Sequence, residues 1–244
     1  MKSISSELAI RYFRRFKAVI FDLDGTLFDS KRIALRIIAM QPFDLLVIRA
    51  ERQARKALAG CDFGAADPYY DEFFKLMAKT TGKPPSVLRR WYFERYMPRF
   101  CEVLQKHYSP RPGVAELLNL FAGIPVDMAV YSDYPNVWQR LTALGINPDV
   151  FGDALYSPED FGAQKPAPRP FLDIARQFGC PPENVLVVGD REDMDGSGAL
   201  VAGMPYIRVA SNRKSYRSYP CFTWEAFTEL ARQTIERRRL SDAI

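Results

Sequence analysis

The sequence predicts an α/β protein in which a parallel sheet is covered by helices on both faces and carries an inserted helical domain. Short apolar runs rich in β-branched residues recur along the chain, and helical patterns separate the later ones. Strands that are apolar on both faces and alternate with helices are typical of a buried parallel sheet. One long stretch, residues 30–109, breaks this alternation because only helical patterns occur in it. We therefore expect a Rossmann-like core with an inserted α-helical cap domain.

The core elements follow from these runs in chain order. The expected strands are residues 18–21, 126–131, 154–156, 185–188 and 206–209. Helical patterns at 137–144 and 170–178 end before Gly145 and Gly179, and a glycine after the last periodic apolar residue is a common helix C-cap. Because the strands are parallel, their carboxyl ends meet at one edge of the sheet, which is where such a sheet binds its ligand.

The inserted stretch divides into four helix-like runs, 31–40, 45–58, 68–80 and 86–106. Turn-prone clusters at 60–64 and 82–85 separate three of them. A connection of about 80 residues between two strands is too long to lack a fold of its own. We expect residues 1–29 and 110–244 to form the core and residues 30–109 to form the cap domain.

Composition narrows the functional classes. The 244 residues are 48% hydrophobic and 26% charged, which is the balance of a folded globular protein. The net charge of +5 is too small to indicate a nucleic-acid-binding protein, and the basic residues form no recognised motif. The single histidine, His107, excludes His-rich zinc sites and disfavours a Ser-His-Asp triad. With no membrane-spanning stretch and no apolar secretory signal, we expect a cytoplasmic protein without a membrane partner.

Polar residues suited to a phosphate ester follow four of the expected strands. Asp22 and Asp24 follow the first, Ser132 the second, Lys165 comes after the third, and Asp190 follows the fourth. Carboxylates crowded at one sheet edge repel one another, and a divalent cation would relieve the repulsion. An all-oxygen ligand set without histidine suits Mg²⁺ best. The pattern predicts a phosphoryl-transfer site in which an aspartate can serve as the nucleophile.

The same four loops hold sequence motifs, namely FDLDGTLFDS at 21–30, VYSD at 130–133, QKP at 164–166 and VGDREDMDG at 188–196. Because these four motifs occur in this order, the sequence resembles the haloacid dehalogenase superfamily of phosphohydrolases. Within that superfamily it resembles the phosphoglycolate phosphatase-like group, which has a helical cap after the first strand. The motifs are spread over the whole chain, and the inserted stretch occupies the position of that cap. The resemblance implies a magnesium-dependent phosphatase that acts on a small phosphorylated metabolite through an aspartyl-phosphate.

The resemblance also implies a role for each motif residue. Asp22 would attack phosphorus and bind the metal. Asp24 would protonate the leaving oxygen, deprotonate the attacking water and offer its backbone carbonyl to the metal. Ser132 and Lys165 would hold the phosphoryl oxygens, and Lys165 would balance the charge of the transferring group. Asp190 would be a metal ligand from the last motif.

The last motif departs from the commonest spacing of the family, in which the second acid follows Asp190 by four residues. Met194 stands at that position here, so the candidates are Asp193 and Asp195. Counting back from the small residues Ala202 and Gly203 favours Asp195 as the second acid of the motif. Asp193 stays open as a group that supports the metal ligands from beside them.

Four further residues have alternative interpretations. Asp133 either positions the phosphate-binding loop or caps the helix that follows it. Thr26 is expected to hold the backbone of its loop rather than to take part in chemistry. Arg32 and Arg36, one turn apart on the helix that leaves the catalytic loop, either reach a second anionic group of the substrate or form a solvated helix face.

Three functions remain open from the sequence. The first is the phosphatase, the second a phosphomutase with the same intermediate, and the third a non-catalytic binding or regulatory protein on this fold. Asp24 argues against dehalogenase activity, because dehalogenases lack that second acid. Charge is unevenly distributed: residues 30–109 hold 15 Lys or Arg and 8 Asp or Glu, whereas the remainder has a net charge of −2. A basic cap over an acidic core predicts an anionic substrate; the oligomeric state is not predicted.

Overall fold

The computed structural model describes residues 4–13, 15–210 and 219–242. The centre of the fold is a six-stranded sheet in which every pairing is parallel and the strand order is β3-β2-β1-β4-β5-β6. The strands are β1 Ala18–Phe21, β2 Asp127–Tyr131, β3 Leu155–Tyr156, β4 Val185–Gly189, β5 Tyr206–Val209 and β6 Cys221–Phe222. From β1 the chain adds β2 and β3 on one side and then β4, β5 and β6 on the other. A ligand crevice is expected where the direction of strand addition changes, which is at the carboxyl end of β1.

Twelve α-helices occur in the described part of the chain. They are α1 Ile4–Phe13, α2 Ile33–Met40, α3 Leu45–Ala57, α4 Ala66–Thr81, α5 Pro85–Trp91, α6 Met97–His107, α7 Val114–Ala122, α8 Val137–Ala143, α9 Pro158–Phe161, α10 Arg169–Gln177, α11 Ser197–Val201 and α12 Trp224–Asp242. A π-helical turn, Tyr92–Tyr96, joins α5 to α6, so the single run expected at 86–106 is one continuous helical path with a widened middle.

The sheet is buried on both faces, as its uniformly apolar strands predict. Along β1, Val19 and Phe21 belong to one hydrophobic cluster and Ala18 and Ile20 to the other. This alternation is the period of two that a strand imposes on its side chains. All four residues are at most 1% exposed. The predicted α/β fold class, with a Rossmann-like parallel sheet, is therefore confirmed.

Between β1 and β2, helices α2–α6 form the inserted stretch and contain no sheet strand. Helices α3 and α4 pack closely against each other, and the aromatic side chains of α4 and of the π-helical turn fill the interior between the helices. Tyr70, Phe73 and Tyr92 are each at most 3% exposed. The inserted helices thus have an aromatic interior, and it is continuous with the hydrophobic cluster on one face of the sheet.

One strand lies outside the sequence prediction. Strand β6 has only two residues, too short to form a recognisable apolar run in the sequence, and it pairs with β5 at the edge of the sheet.

No helix among the described residues is both long and apolar enough to cross a bilayer.

Candidate active site

Four loops converge at the carboxyl edge of the sheet, and each follows a different strand. Residues 22–26 leave β1, Ser132 and Asp133 leave β2, and residues 190–196 leave β4. The fourth loop, which holds Gln164 and Lys165, lies beyond β3 and α9. Strands β2 and β4 flank β1 on either side, so these loops surround the loop that holds Asp22.

Three carboxylates, two buried and one half-buried, form the centre of the site. Oxygen atoms of Asp22, Asp190 and Asp195 all lie within 4.8 Å of one another. The Nζ of Lys165 donates to Asp22 Oδ1 at 2.8 Å and to Asp195 Oδ1 at 2.7 Å, and Lys165 is only 1% exposed. Asp193 is not part of this cluster: it is an exposed residue at the cleft, and its Oδ1 accepts from Arg191 Nε at 3.2 Å. Of the two acids left open by the sequence, the fold brings Asp195 to the centre.

Two glycines allow this close approach. A Cβ at Gly25 would lie 2.3 Å from Asp190 Oδ2, and Gly25 also has a φ of +94°. A Cβ at Gly189 would lie 2.4 Å from Asp195 Oδ2. Real Cβ atoms do not tolerate such distances, so a larger residue at either position would displace a carboxylate from the centre.

Burial and mutual repulsion make the carboxylates reluctant to ionise. Burial raises the pKa of Asp22 to about 7, and the charge of Lys165 only partly offsets it. Burial, together with the neighbouring charges of Asp22 and Asp195, raises the pKa of Asp190 to about 8. Burial would lower the pKa of Lys165, but the charges of Asp195, Asp22 and Asp133 raise it well above its ordinary value. The centre has more negative charge than Lys165 alone can balance.

Asp24 stands beside this centre and is held by an arginine that the sequence analysis did not identify. Arg140, on α8, donates its Nη2 to both oxygens of Asp24 and its Nη1 to Ser132 Oγ at 2.9 Å. Ser132 Oγ in turn donates to Asp24 Oδ2 at 3.1 Å. The arginine is completely buried, and its guanidinium stacks on the Phe100 ring from α6. A signal was available, because Arg140 shares the apolar face of α8 with Val137, Leu141 and Leu144.

Thr26 and Asp133 also contribute more than the sequence indicated. Thr26 Oγ1 donates to Asp22 Oδ2 at 2.8 Å, a contact that the expected role in the loop backbone did not include. Asp133 Oδ1 accepts from the backbone N–H of Lys165 at 3.1 Å. No side-chain cap starts α8, so of the two interpretations of Asp133 the structure supports the loop-positioning one.

A buried arginine of α3 ties the inserted helices to two of these loops. Arg55 donates from Nε and Nη2 to Glu51 Oε1 at 2.9 and 2.7 Å, to the Tyr92 hydroxyl at 2.8 Å, and to the backbone carbonyl of Asp133. The backbone carbonyl of Arg55 accepts from Gln164 Nε2 at 3.0 Å. The loops that hold Ser132 and Lys165 are therefore both in contact with α3, through the neighbouring residues Asp133 and Gln164.

The four loops and the inserted helices enclose a cleft of about 940 Å³. Its floor includes Asp22, Asp24, Asp190 and Asp195, and its wall is formed by α2 and α3. The pair proposed from the sequence for a second anionic group is not part of that wall. Arg36 donates to the backbone carbonyl of His107 at 3.0 Å and stacks on Tyr108, and Arg32 is the exposed residue before α2. The basic residues of the wall come instead from α3.

Comparison with known proteins gives consistent matches. The sequence model of haloacid dehalogenase-like hydrolases matches residues 16–203. The chain is 30% identical over 212 residues to the phosphoglycolate phosphatase of Shigella boydii, covering 80% of this chain and 81% of that protein. It is 28% identical over 202 residues to the glyceraldehyde 3-phosphate phosphatase of Methanopyrus kandleri, covering 79% and 83%. A crystal structure of a predicted phosphoglycolate phosphatase from Haemophilus somnus is 26% identical, with a TM-score of 0.56 and coverage of 80% and 85%.

Proposed function

The chain belongs to the haloacid dehalogenase-like hydrolases, and from that premise we propose that it is a magnesium-dependent phosphatase of a small phosphorylated metabolite, with Asp22 as the nucleophile. The observation that carries the proposal is the cluster of Asp22, Asp190 and Asp195 around Lys165 on the floor of a cleft. The activities of the phosphatases of Shigella boydii and Methanopyrus kandleri support a short phosphate ester as the substrate class.

The carboxylate cluster fits a hard divalent cation. Asp190 Oδ1 is buried and has no hydrogen-bond partner among the described residues. The raised pKa values of Asp22 and Asp190 reflect negative charge that a cation would neutralise. The donors are all oxygen atoms, which suits Mg²⁺. The side chains of Asp22, Asp190 and Asp195 and the backbone carbonyl of Asp24 would hold it. When bound, the cation would draw charge from the phosphoryl oxygens and lower their repulsion of the nucleophile.

The first step is attack of an Asp22 carboxylate oxygen on phosphorus. The bond from phosphorus to the ester oxygen breaks, and that oxygen leaves with a proton from Asp24, which yields an aspartyl-phosphate and the free alcohol. Thr26 fixes the carboxylate by donating to Oδ2. The ammonium of Lys165 has three donors, and Asp22 and Asp195 engage two of them, so one donor is available for a phosphoryl oxygen.

The second step returns the enzyme to its starting state. Asp24 takes a proton from a water molecule, the water oxygen attacks phosphorus, and the bond from phosphorus to Asp22 breaks to release orthophosphate. Arg140 and Ser132 hold the Asp24 carboxyl in one orientation beside Asp22. Ser132 can turn its hydroxyl from Asp24 to a phosphoryl oxygen, because Arg140 stays bound to Asp24.

We further propose that residues 30–109 act as a cap that sets the substrate. Helices α2 and α3 line the cleft opposite the catalytic loops, and Arg55 connects them to those loops. A wall that belongs to the insertion can contact the part of a substrate that lies beyond its phosphoryl group.

Hydrolysis of p-nitrophenyl phosphate in the presence of Mg²⁺ tests the function. We expect the wild type to turn over, and Asp22→Asn to lose activity by about a thousandfold or more, because the amide is not a nucleophile. Asp195→Asn should lose activity as well, whereas Asp193→Asn, a matched change in the same loop, should retain most of it. Acid quenching with a radiolabelled ester should leave label on the wild type and none on Asp22→Asn. Equal rates in wild type and Asp22→Asn would refute the assignment.

A phosphomutase would use the same Asp22 intermediate but pass the phosphoryl group to a second hydroxyl. Product analysis with a hexose phosphate separates the two functions. Release of orthophosphate supports the phosphatase, and an isomeric hexose phosphate supports the mutase. Failure to turn over any ester in a broad panel, with Mg²⁺ still bound, would indicate a non-catalytic protein.

A further inference from the structure

Helix α3 presents three basic side chains to the cleft. Arg49, Arg52 and Lys56 all line the cavity whose floor holds Asp22 and Asp190. Their spacing of three and four residues places them along one face of the helix. All three side chains are exposed to the cleft or solvent rather than packed in the core. This face, which we call the α3 basic stripe, consists of Arg49, Arg52 and Lys56.

Within the described part of the chain, no hydrogen bond or ion pair engages any side chain of the α3 basic stripe. The one acid of α3 is Glu51, which is buried and already bound by Arg55 at 2.7 Å. Like charges one turn apart on a helix repel each other. The stripe therefore adds three uncompensated positive charges to one wall of the cleft.

The acids of the opposite wall do not need this charge. Lys165 bridges Asp22 and Asp195, and Arg140 pairs with Asp24. Asp193 pairs with Arg191. A divalent cation at the carboxylate centre, as proposed above, would offset the negative charge that Lys165 does not balance. The stripe is thus available to an anion that enters the cleft from outside.

We propose that the α3 basic stripe binds a second anionic group, a carboxylate or a second phosphate, of a substrate whose phosphoryl group lies at Asp22. This assignment of the stripe to the substrate rests on the phosphatase function proposed above. The cleft volume of about 940 Å³ accommodates both groups of a short ester at once. Leu45 and Ile48 lie beside the stripe in the same wall and suit the carbon chain between the two groups.

The test compares esters that differ in one group. The first pair is 3-phosphoglycerate and glycerol 3-phosphate, which differ by a carboxylate against a neutral hydroxymethyl group. The second is fructose 1,6-bisphosphate and fructose 6-phosphate, which differ by a second phosphate. We expect wild-type kcat/KM to favour the doubly anionic member of at least one pair by about tenfold or more, because charge-assisted contacts are strong. The pair that shows the preference tells whether the second group is a carboxylate or a phosphate.

Charge-neutral variants locate the preference. In Arg49→Gln, Arg52→Gln, Lys56→Gln and the triple variant, the ratio of kcat/KM within the pair should fall, and in the triple variant it should approach one. Arg90→Gln is the matched control, because Arg90 is an exposed arginine of α5 that does not line the cleft. It removes the same charge from the inserted helices and should leave the ratio unchanged. A similar fall in Arg90→Gln would show a general charge effect and overturn the proposal.

Binding to the Asp22→Asn protein separates this proposal from the function itself. Calorimetric titration with 3-phosphoglycerate and with glycerol 3-phosphate measures the preference without turnover. A preference that disappears in the triple variant supports the stripe, even if the wild type hydrolyses no ester and the proposed function fails. Equal affinities for both members of both pairs, or a preference that the triple variant retains, overturn the stripe while leaving hydrolysis of p-nitrophenyl phosphate as a separate result.

Discussion

Replacement of Arg140 by methionine tests the pairing that holds Asp24. Methionine fills a similar volume but cannot donate a hydrogen bond. In Arg140→Met, Asp24 loses its cationic partner and Ser132 Oγ loses the donor at 2.9 Å. The Asp24 carboxylate would then lie in a partly buried site without a counter-charge, and we expect the folded state to be destabilised.

The magnitude follows from the burial of the two partners. The side chain of Arg140 is 0% exposed and that of Asp24 is 21% exposed. Removing one partner of a buried ion pair costs about 3–5 kcal/mol, and the partial exposure of Asp24 places Arg140→Met near the lower end, at about 3 kcal/mol. Asp24→Asn should cost a similar amount, because it leaves a buried guanidinium without an acid. The double variant has no unpaired charge, so its cost should fall short of the sum by about 2 kcal/mol.

Urea unfolding of the metal-free proteins, followed by circular dichroism, measures the four free energies of this cycle. Arg90→Met, an exposed arginine of α5, is the control and should change the free energy of unfolding by less than about 0.5 kcal/mol. Additive single and double variants, to within about 0.5 kcal/mol, would refute the coupling of Arg140 to Asp24.

Three other perturbations have expected outcomes. With pKa values raised to about 7 and about 8, Asp22 and Asp190 hold protons in the folded chain that the unfolded chain releases near pH 4, so the stability of the metal-free protein should fall as the pH rises from 5 to 8. Mg²⁺ should therefore raise the Tm more at pH 8 than at pH 5, and an equal rise at both would contradict this. Arg55→Met leaves the buried acid of α3, Glu51, unpaired and should lower the free energy of unfolding by about 3 kcal/mol in urea, whereas an unchanged midpoint would show that the pairing of Arg55 with Glu51 does not stabilise the fold. In Gly189→Ala the new Cβ displaces Asp195, so Mg²⁺ affinity should drop about tenfold or more by calorimetry, with circular dichroism unchanged; wild-type affinity would show that the carboxylate can move aside.

The fold was predictable because its signals are local. Each strand of four or more residues coincides with an apolar run in the sequence. The helical ranges expected at 31–40, 45–58 and 68–80 differ from α2, α3 and α4 by two residues or fewer at each end. Side chains buried on both faces of a sheet must be apolar whatever surrounds them, so the run predicts the strand. The family followed from motifs in four separate loops, and the match over residues 16–203 confirms it.

The choice between Asp193 and Asp195 needed the three-dimensional structure. Both are acids in the same loop, and the sequence offers only a count of residues. The π-helical turn Glu192–Gly196 buries Asp195 and leaves Asp193 at the surface. The wider turn changes which side of the loop each residue occupies, so spacing rules for an α-helix do not apply there.

The sequence by itself determined five of the six strands, the run of helices between β1 and β2, and the positions of the motif residues Asp22, Asp24, Ser132, Lys165 and Asp190, because each depends on its neighbours along the chain. Only the tertiary structure decided the partners. Arg140 reaches Asp24 from 116 positions away, and the cleft wall is formed by the arginines of α3 rather than by Arg32 and Arg36. Such contacts depend on how helices turn and pack against a sheet, and a charged residue has the same local pattern whether it faces solvent, an acid or a substrate.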